Sequence, residues 1–143
     1  HPGGAMGGAD FVNVLFSEFL IYDPKNPKWE GRDRFFLDPG HMSPMLYSVL
    51  ALSGKFTLDE LQQFRQWGSV TPGHPEVDVM RGIENTSGPL GQGHTYAVGA
   101  AIAAKFLKAR LGEEVMSQTI YAYISDGGIQ EEISQGAGRI AGK

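Results

Sequence analysis

Cysteine is absent from all 143 residues. That excludes disulfides, thiolate nucleophiles and cysteine-ligated zinc, and it is compatible with a cytosolic setting. Also missing is any apolar run long enough to cross a bilayer, so no membrane partner is expected. Basic residues form no cluster and the net charge is −4, which argues against a nucleic-acid partner. No internal repeat is visible. What remains, 41% apolar and 20% charged residues, is the composition of a globular domain with a core of its own. The chain opens on His1-Pro2 without an initiator methionine, so further residues are expected ahead of it.

Glycine departs from this ordinary picture, with 20 residues. They sit as punctuation in short blocks rather than in one low-complexity tract. Dispersed in this way, glycine marks backbone that turns sharply or approaches a ligand, not disorder.

The most informative block begins with the alternating β-branched and aromatic run from Thr119, which reads as a buried strand. It ends in Asp126-Gly127-Gly128, and a helical pattern with Glu131 and Glu132 follows. A carboxylate at the carboxyl end of a strand, beside glycines and ahead of a helix, is where open α/β sheets bind ligands. The glycines admit a phosphate, the helix start offers N–H groups, and the aspartate suits a divalent metal. By itself an Asp-Gly pair is more often the mark of a plain turn.

Elsewhere the pattern is helical with one further strand. Ala9 to Ile21 is apolar on more than one face and predicts a well-buried helix, stopped by Asp23-Pro24. Arg34 to Leu37 predicts a short strand closed by Asp38-Pro39-Gly40. Met45 to Leu52 predicts a helix, and Thr57-Leu58-Asp59-Glu60 a capping box opening another through Gln66. Residues 68 to 93, rich in glycine and proline, have no period, and such a long irregular stretch inside a domain is usually functional. Thr95 to Leu111 is the clearest helix, with Val98, Ile102 and Phe106 four apart; Gln130 to Ala141 begins another. The predicted class is α/β. Two strands and five helices do not complete a doubly wound sheet, so further strands are expected after Lys143.

Three of the four histidines, His1, His41 and His74, lie in glycine- and proline-rich settings that leave the ring accessible. Histidine is suited to proton transfer and to orienting hydroxyl groups near neutral pH. His94, at the start of the long helix, reads as structural. Gly88-Pro89-Leu90 offers a rigid turn that could face a flat heteroaromatic ring, or it is a helix-entry turn. Glu131 is a ligand-side acid or simply an acid favoured at a helix start.

Taken in order, His1-Pro2-Gly3-Gly4, Gly40-His41-Met42-Ser43, Thr71-Pro72-Gly73-His74-Pro75-Glu76, Gly88-Pro89-Leu90-Gly91-Gln92-Gly93 and Ser125-Asp126-Gly127 resemble the amino-terminal, diphosphate-binding domain of transketolases. The likeness extends over essentially the whole chain. It implies a parallel sheet flanked by helices, incomplete within residues 1–143, with the remaining domains outside it. It implies thiamine diphosphate and Mg2+ or Ca2+ as cofactors. It also implies transfer of a two-carbon ketol unit from a ketose phosphate to an aldose phosphate, in the pentose phosphate pathway, by a cytoplasmic homodimer. Carried over by motif, His1 and His74 contact sugar, and His41 lies by both diphosphate and substrate. Gly88, Pro89 and Leu90 contact the cofactor, Gly127 packs on its diphosphate, Glu131 lies near it, and Asp126 is a metal ligand.

Two positions depart from the family pattern: Ser125 and Met42 each stand where glycine is usual. The second metal ligand, an asparagine, and the glutamate that activates the pyrimidine fall beyond Lys143 in this family, so the chain alone is expected to be inactive. Alternatives sharing the cofactor are dihydroxyacetone synthase and deoxyxylulose-phosphate synthase. A non-catalytic subunit or paralogue is the alternative from a different class.

Overall fold

The computed structural model describes residues 1–143. Its centre is a two-stranded parallel sheet, β1 (Arg34–Leu37) against β2 (Ile120–Tyr123), in register from Arg34↔Ile120 to Leu37↔Tyr123. Parallel strands cannot be joined by a hairpin. The crossover here carries α3 (Ser43–Leu52), α4 (Leu58–Gln62), the long irregular segment and α5 (Gln92–Leu111). Ahead of β1 come α1 (Pro2–Gly7) and α2 (Ala9–Val14), the latter continuing as a π-turn over Leu15–Phe19. After β2 come α6 (Asp126–Gln130) and α7 (Glu132–Ala141).

The alternation of β1 divides the interior. Phe35 and Leu37 join Val12, Leu15, Met45, Leu46, Val49 and Leu50 in one apolar cluster, while buried Phe36 faces the other side. α5 packs against both strands and against α7. Asp33 pins the entry to the sheet, accepting from Ile21 N at 2.9 Å and Thr119 N at 2.6 Å. No helix is long and apolar enough to cross a membrane.

The outer edge of β1 is completed by a side chain. Asn85 Oδ1 accepts from Leu37 N and its Nδ2 donates to Leu37 O, both at 3.1 Å, so one amide stands in for a neighbouring strand. Beside it Arg32 and Glu84 form a two-bond ion pair at 2.9 and 3.0 Å. These contacts hold residues 84 and 85 against β1, a few positions ahead of the Gly88-Pro89-Leu90 turn.

Several expectations are corrected. The helix expected from Ala9 to Ile21 is shorter and buried on one face only: Val12 and Leu15 are covered, Phe11, Val14, Phe19 and Ile21 exposed. β2 is a half-exposed edge strand rather than a buried one, because β1 is its single neighbour. The Thr57–Glu60 capping box is present, but α4 ends at Gln62. Shortly after it, Arg65 takes a left-handed φ of 64° and donates its N–H to Thr71 O instead of continuing a helix. The last helix begins four residues early at Asp126 and is broken at Glu131, whose ψ of 133° is extended.

Candidate functional site

The carboxyl ends of β1 and β2 lie side by side, and every predicted site residue except His1 and His74 follows directly from one of them or from the turn before α5. β1 runs into Asp38-Pro39-Gly40-His41, and β2 into Ile124-Ser125-Asp126-Gly127. This is the position at which parallel α/β sheets bind ligands.

On the β1 side the structure gathers the three histidines. The rings of His1 and His41 lie 4.7 Å apart at 52°. His1 is held there through α1, which rests on buried Met42: a Cβ added at Gly4 would stand 3.1 Å from Met42 Cγ. The methionine that departs from the family pattern thus becomes the seat of the helix carrying His1. His74 packs against the same loop, since a Cβ at Gly40 would meet its Cδ2 at 3.0 Å and Gly88 N at 2.9 Å. The His74 loop is anchored to α3 by Ser43 Oγ donating to Gly73 O at 2.7 Å and Tyr47 Oη to Pro72 O at 2.8 Å. Burial, helped by the nearby Glu76 carboxylate, pushes the Tyr47 hydroxyl well above the ordinary phenol range, so it stays a donor.

On the β2 side Leu90 lies over Gly127, its Cδ1 3.1 Å from the place a Cβ would occupy. Glu131 is exposed, and its Cβ backs onto Gly91. Ser125, the second departure, has an ordinary φ of −90° and caps α6, accepting from Gly128 N at 3.0 Å. The serine therefore costs the turn no strain, and one of the N–H groups expected to be free at this helix start is taken. Asp126 is exposed in the first turn of α6. No three His, Asp or Glu side chains stand close enough to hold a metal by themselves. Asp126 fits as a single ligand to a cation that takes its other oxygens from phosphate, water or other protein groups.

Sequence reasoning read Asp38 only as part of a strand-closing turn. It is wholly buried, and its carboxylate accepts from Gly91 N at 3.1 Å and His94 N at 3.2 Å, bridging the end of β1 to the start of α5. The close approach needs Gly93, where a Cβ would collide with the backbone of Asp38. Nothing local in the sequence signals this, because the partners lie more than fifty residues away.

The family described as "Transketolase, thiamine diphosphate binding domain" matches residues 1–143. The chain belongs to that family. It is 49% identical to the transketolase of Rhodobacter capsulatus over 100% of its own length and 22% of that protein, and 47% identical to that of Geobacillus stearothermophilus over 99% and 22%. Among solved structures, transketolase from Leishmania mexicana superposes with a TM-score of 0.95 at 43% identity, covering 99% of this chain and 22% of that one. Transketolase from Campylobacter jejuni gives 0.88 at 44% identity, over 94% and 21%. The chain thus spans about a fifth of these transketolases, and the fold is the mixed helix and parallel sheet expected of this family.

Proposed function

We propose that this chain contributes the diphosphate-binding part of a thiamine-diphosphate enzyme that transfers a two-carbon ketol unit from a ketose phosphate to an aldose phosphate. The observation that carries the reading is the meeting of His1, His41 and His74 with the Gly88–Leu90 and Asp126–Gly127 turns at the ends of two parallel strands. When bound, thiamine diphosphate supplies the carbon nucleophile and the electron sink. The residues of this chain bind, orient and move protons. Asp126 gives one carboxylate oxygen to Mg2+ or Ca2+ at the diphosphate, and Gly127 lets the diphosphate close on the turn. Gly88, Pro89 and Leu90 offer backbone groups and an apolar contact to the cofactor's ring. His41 serves the diphosphate and the sugar together. His1 and His74 hold sugar oxygens beside the reacting carbon, where an imidazole can accept or return a hydroxyl proton. Glu131, exposed behind Gly91, lies at the cofactor's edge and the subunit contact.

Exposed Ile102 and Phe106 on α5 and Ile133 and Ile140 on α7 support packing of these helices against further protein, which in a homodimer includes the second copy. A cytoplasmic location goes with the same reading. The decisive assay offers the intact protein xylulose 5-phosphate and ribose 5-phosphate with thiamine diphosphate and Mg2+, and follows sedoheptulose 7-phosphate. Transfer to ribose 5-phosphate supports the reading. A preference for formaldehyde as acceptor would indicate a dihydroxyacetone synthase, and condensation of pyruvate a deoxyxylulose-phosphate synthase.

A further inference from the structure

The turns of the candidate site come from three separate elements, and one polar chain runs between them. Asp38, at the end of β1, accepts from the N–H groups of Gly91 and His94 at 3.1 and 3.2 Å. His94 then reaches α7 through its ring, with Nδ1 2.6 Å from Ser134 Oγ. Asp38 and Ser134 are fully buried, and Gly128 of α6 closes on the Asp38 carboxylate.

We infer that Asp38, His94 and Ser134 are positioning residues for the cofactor site, setting the spacing between the Gly40–His41 loop, the Gly88–Gly93 turn and the Asp126–Glu131 turn. This rests on the thiamine-diphosphate reading above. A packed apolar contact would join β1, α5 and α7 as firmly, because a buried polar group gains little net stability. What directional bonds add is a single geometry. Each of the three bonds departs from a residue within a few positions of a proposed ligand contact: Asp38 precedes His41, Gly91 follows Leu90, and Ser134 follows Glu131. Asp38 also occupies two N–H groups at the start of α5. A bound diphosphate is thereby directed to the Asp126–Gly127 side, where a cation can accompany it.

The test uses the intact protein and variants His94→Leu, His94→Asn and Ser134→Ala. Titration calorimetry measures thiamine diphosphate binding with Mg2+, and steady-state assays measure turnover at saturating cofactor. Losing the ring–hydroxyl bond is expected to raise the cofactor Kd about tenfold in His94→Leu and in Ser134→Ala, the equivalent of one buried hydrogen bond. Turnover at saturation should remain within about twofold, because the chemical groups are untouched. Asparagine places an amide near the position of Nδ1, so His94→Asn should restore most of the affinity. A role in stability alone would lower Tm while leaving Kd unchanged. Wild-type Kd in Ser134→Ala, which deletes one oxygen and is the variant most certain to fold, would overturn the inference. So would an asparagine variant as weak as the leucine one. If the unsubstituted protein binds no thiamine diphosphate, the site reading falls and takes this inference with it.

Discussion

His74 and Ser125 show how much a single position can carry in this chain. His74 sits in a loop fastened to α3 by Ser43 and Tyr47, with its ring against Gly40 and Gly88. If it handles a sugar proton, His74→Ala should lower turnover by about 10²- to 10⁴-fold while thiamine diphosphate affinity stays near the wild-type value. Steady-state kinetics beside a cofactor titration measures both, and unchanged kinetics would remove His74 from the site. Ser125 is different in kind, because its hydroxyl caps α6. Ser125→Ala should cost about 1 kcal/mol in urea unfolding and Ser125→Gly only a few tenths, the order expected of an N-cap. Wild-type stability in Ser125→Ala would mean that the cap contributes nothing. The histidines and the Asp-Gly turn were legible in the sequence because they stand in short blocks with their glycines. Asp38 was not, because what makes it distinctive is a pair of N–H groups supplied by distant residues.

At the scale of elements, boundaries followed local chemistry where the chemistry was local. The Thr57–Glu60 box is present as read, with Thr57 N donating to Glu60 Oε2 at 2.8 Å and Glu60 N to Thr57 Oγ1 at 3.1 Å. The helix it opens stops early because Arg65 turns left-handed and pairs with Thr71, a long-range choice that helix propensity does not reveal. The same holds for β1, whose edge is finished by an asparagine from an irregular segment. Asn85→Ala leaves the N–H and C=O of Leu37 unpartnered, and a loss of about 2 kcal/mol is expected in chemical denaturation. Glu60 also accepts from Arg81 at 2.8 Å, and that bond, followed by the one from Thr57, holds its carboxyl below the ordinary value of 4.5. A carboxyl lowered on folding stabilises the protein above its unfolded pKa, and this contribution is lost as pH falls through the folded one. Glu60→Gln should therefore flatten the acid limb of a stability–pH curve below about pH 4.5 and leave its neutral region parallel to wild type.

Over the whole molecule, the α/β class and the parallel pairing match the expectation, while the burial expected of β2 does not. Val98 is covered, but Ile102 and Phe106, one and two turns along the same helix, are more than half exposed, and β2 has a free edge. Periodicity gives the apolar stripe of α5; which part of it is covered depends on elements that two strands and seven helices do not include. Residues 1–143 expressed alone are accordingly expected to associate in analytical ultracentrifugation and to give no ketol transfer. The proposed function requires one metal-dependent cofactor site at the ends of β1 and β2. Its most direct test is calorimetric titration of the intact protein with thiamine diphosphate, with and without Mg2+, beside Asp126→Ala. The prediction is Mg2+-dependent binding that weakens about tenfold or more when the Asp126 carboxylate is removed, since loss even of groups that only support metal ligands costs that much. Equal affinity in the two proteins, or binding indifferent to Mg2+, would contradict it.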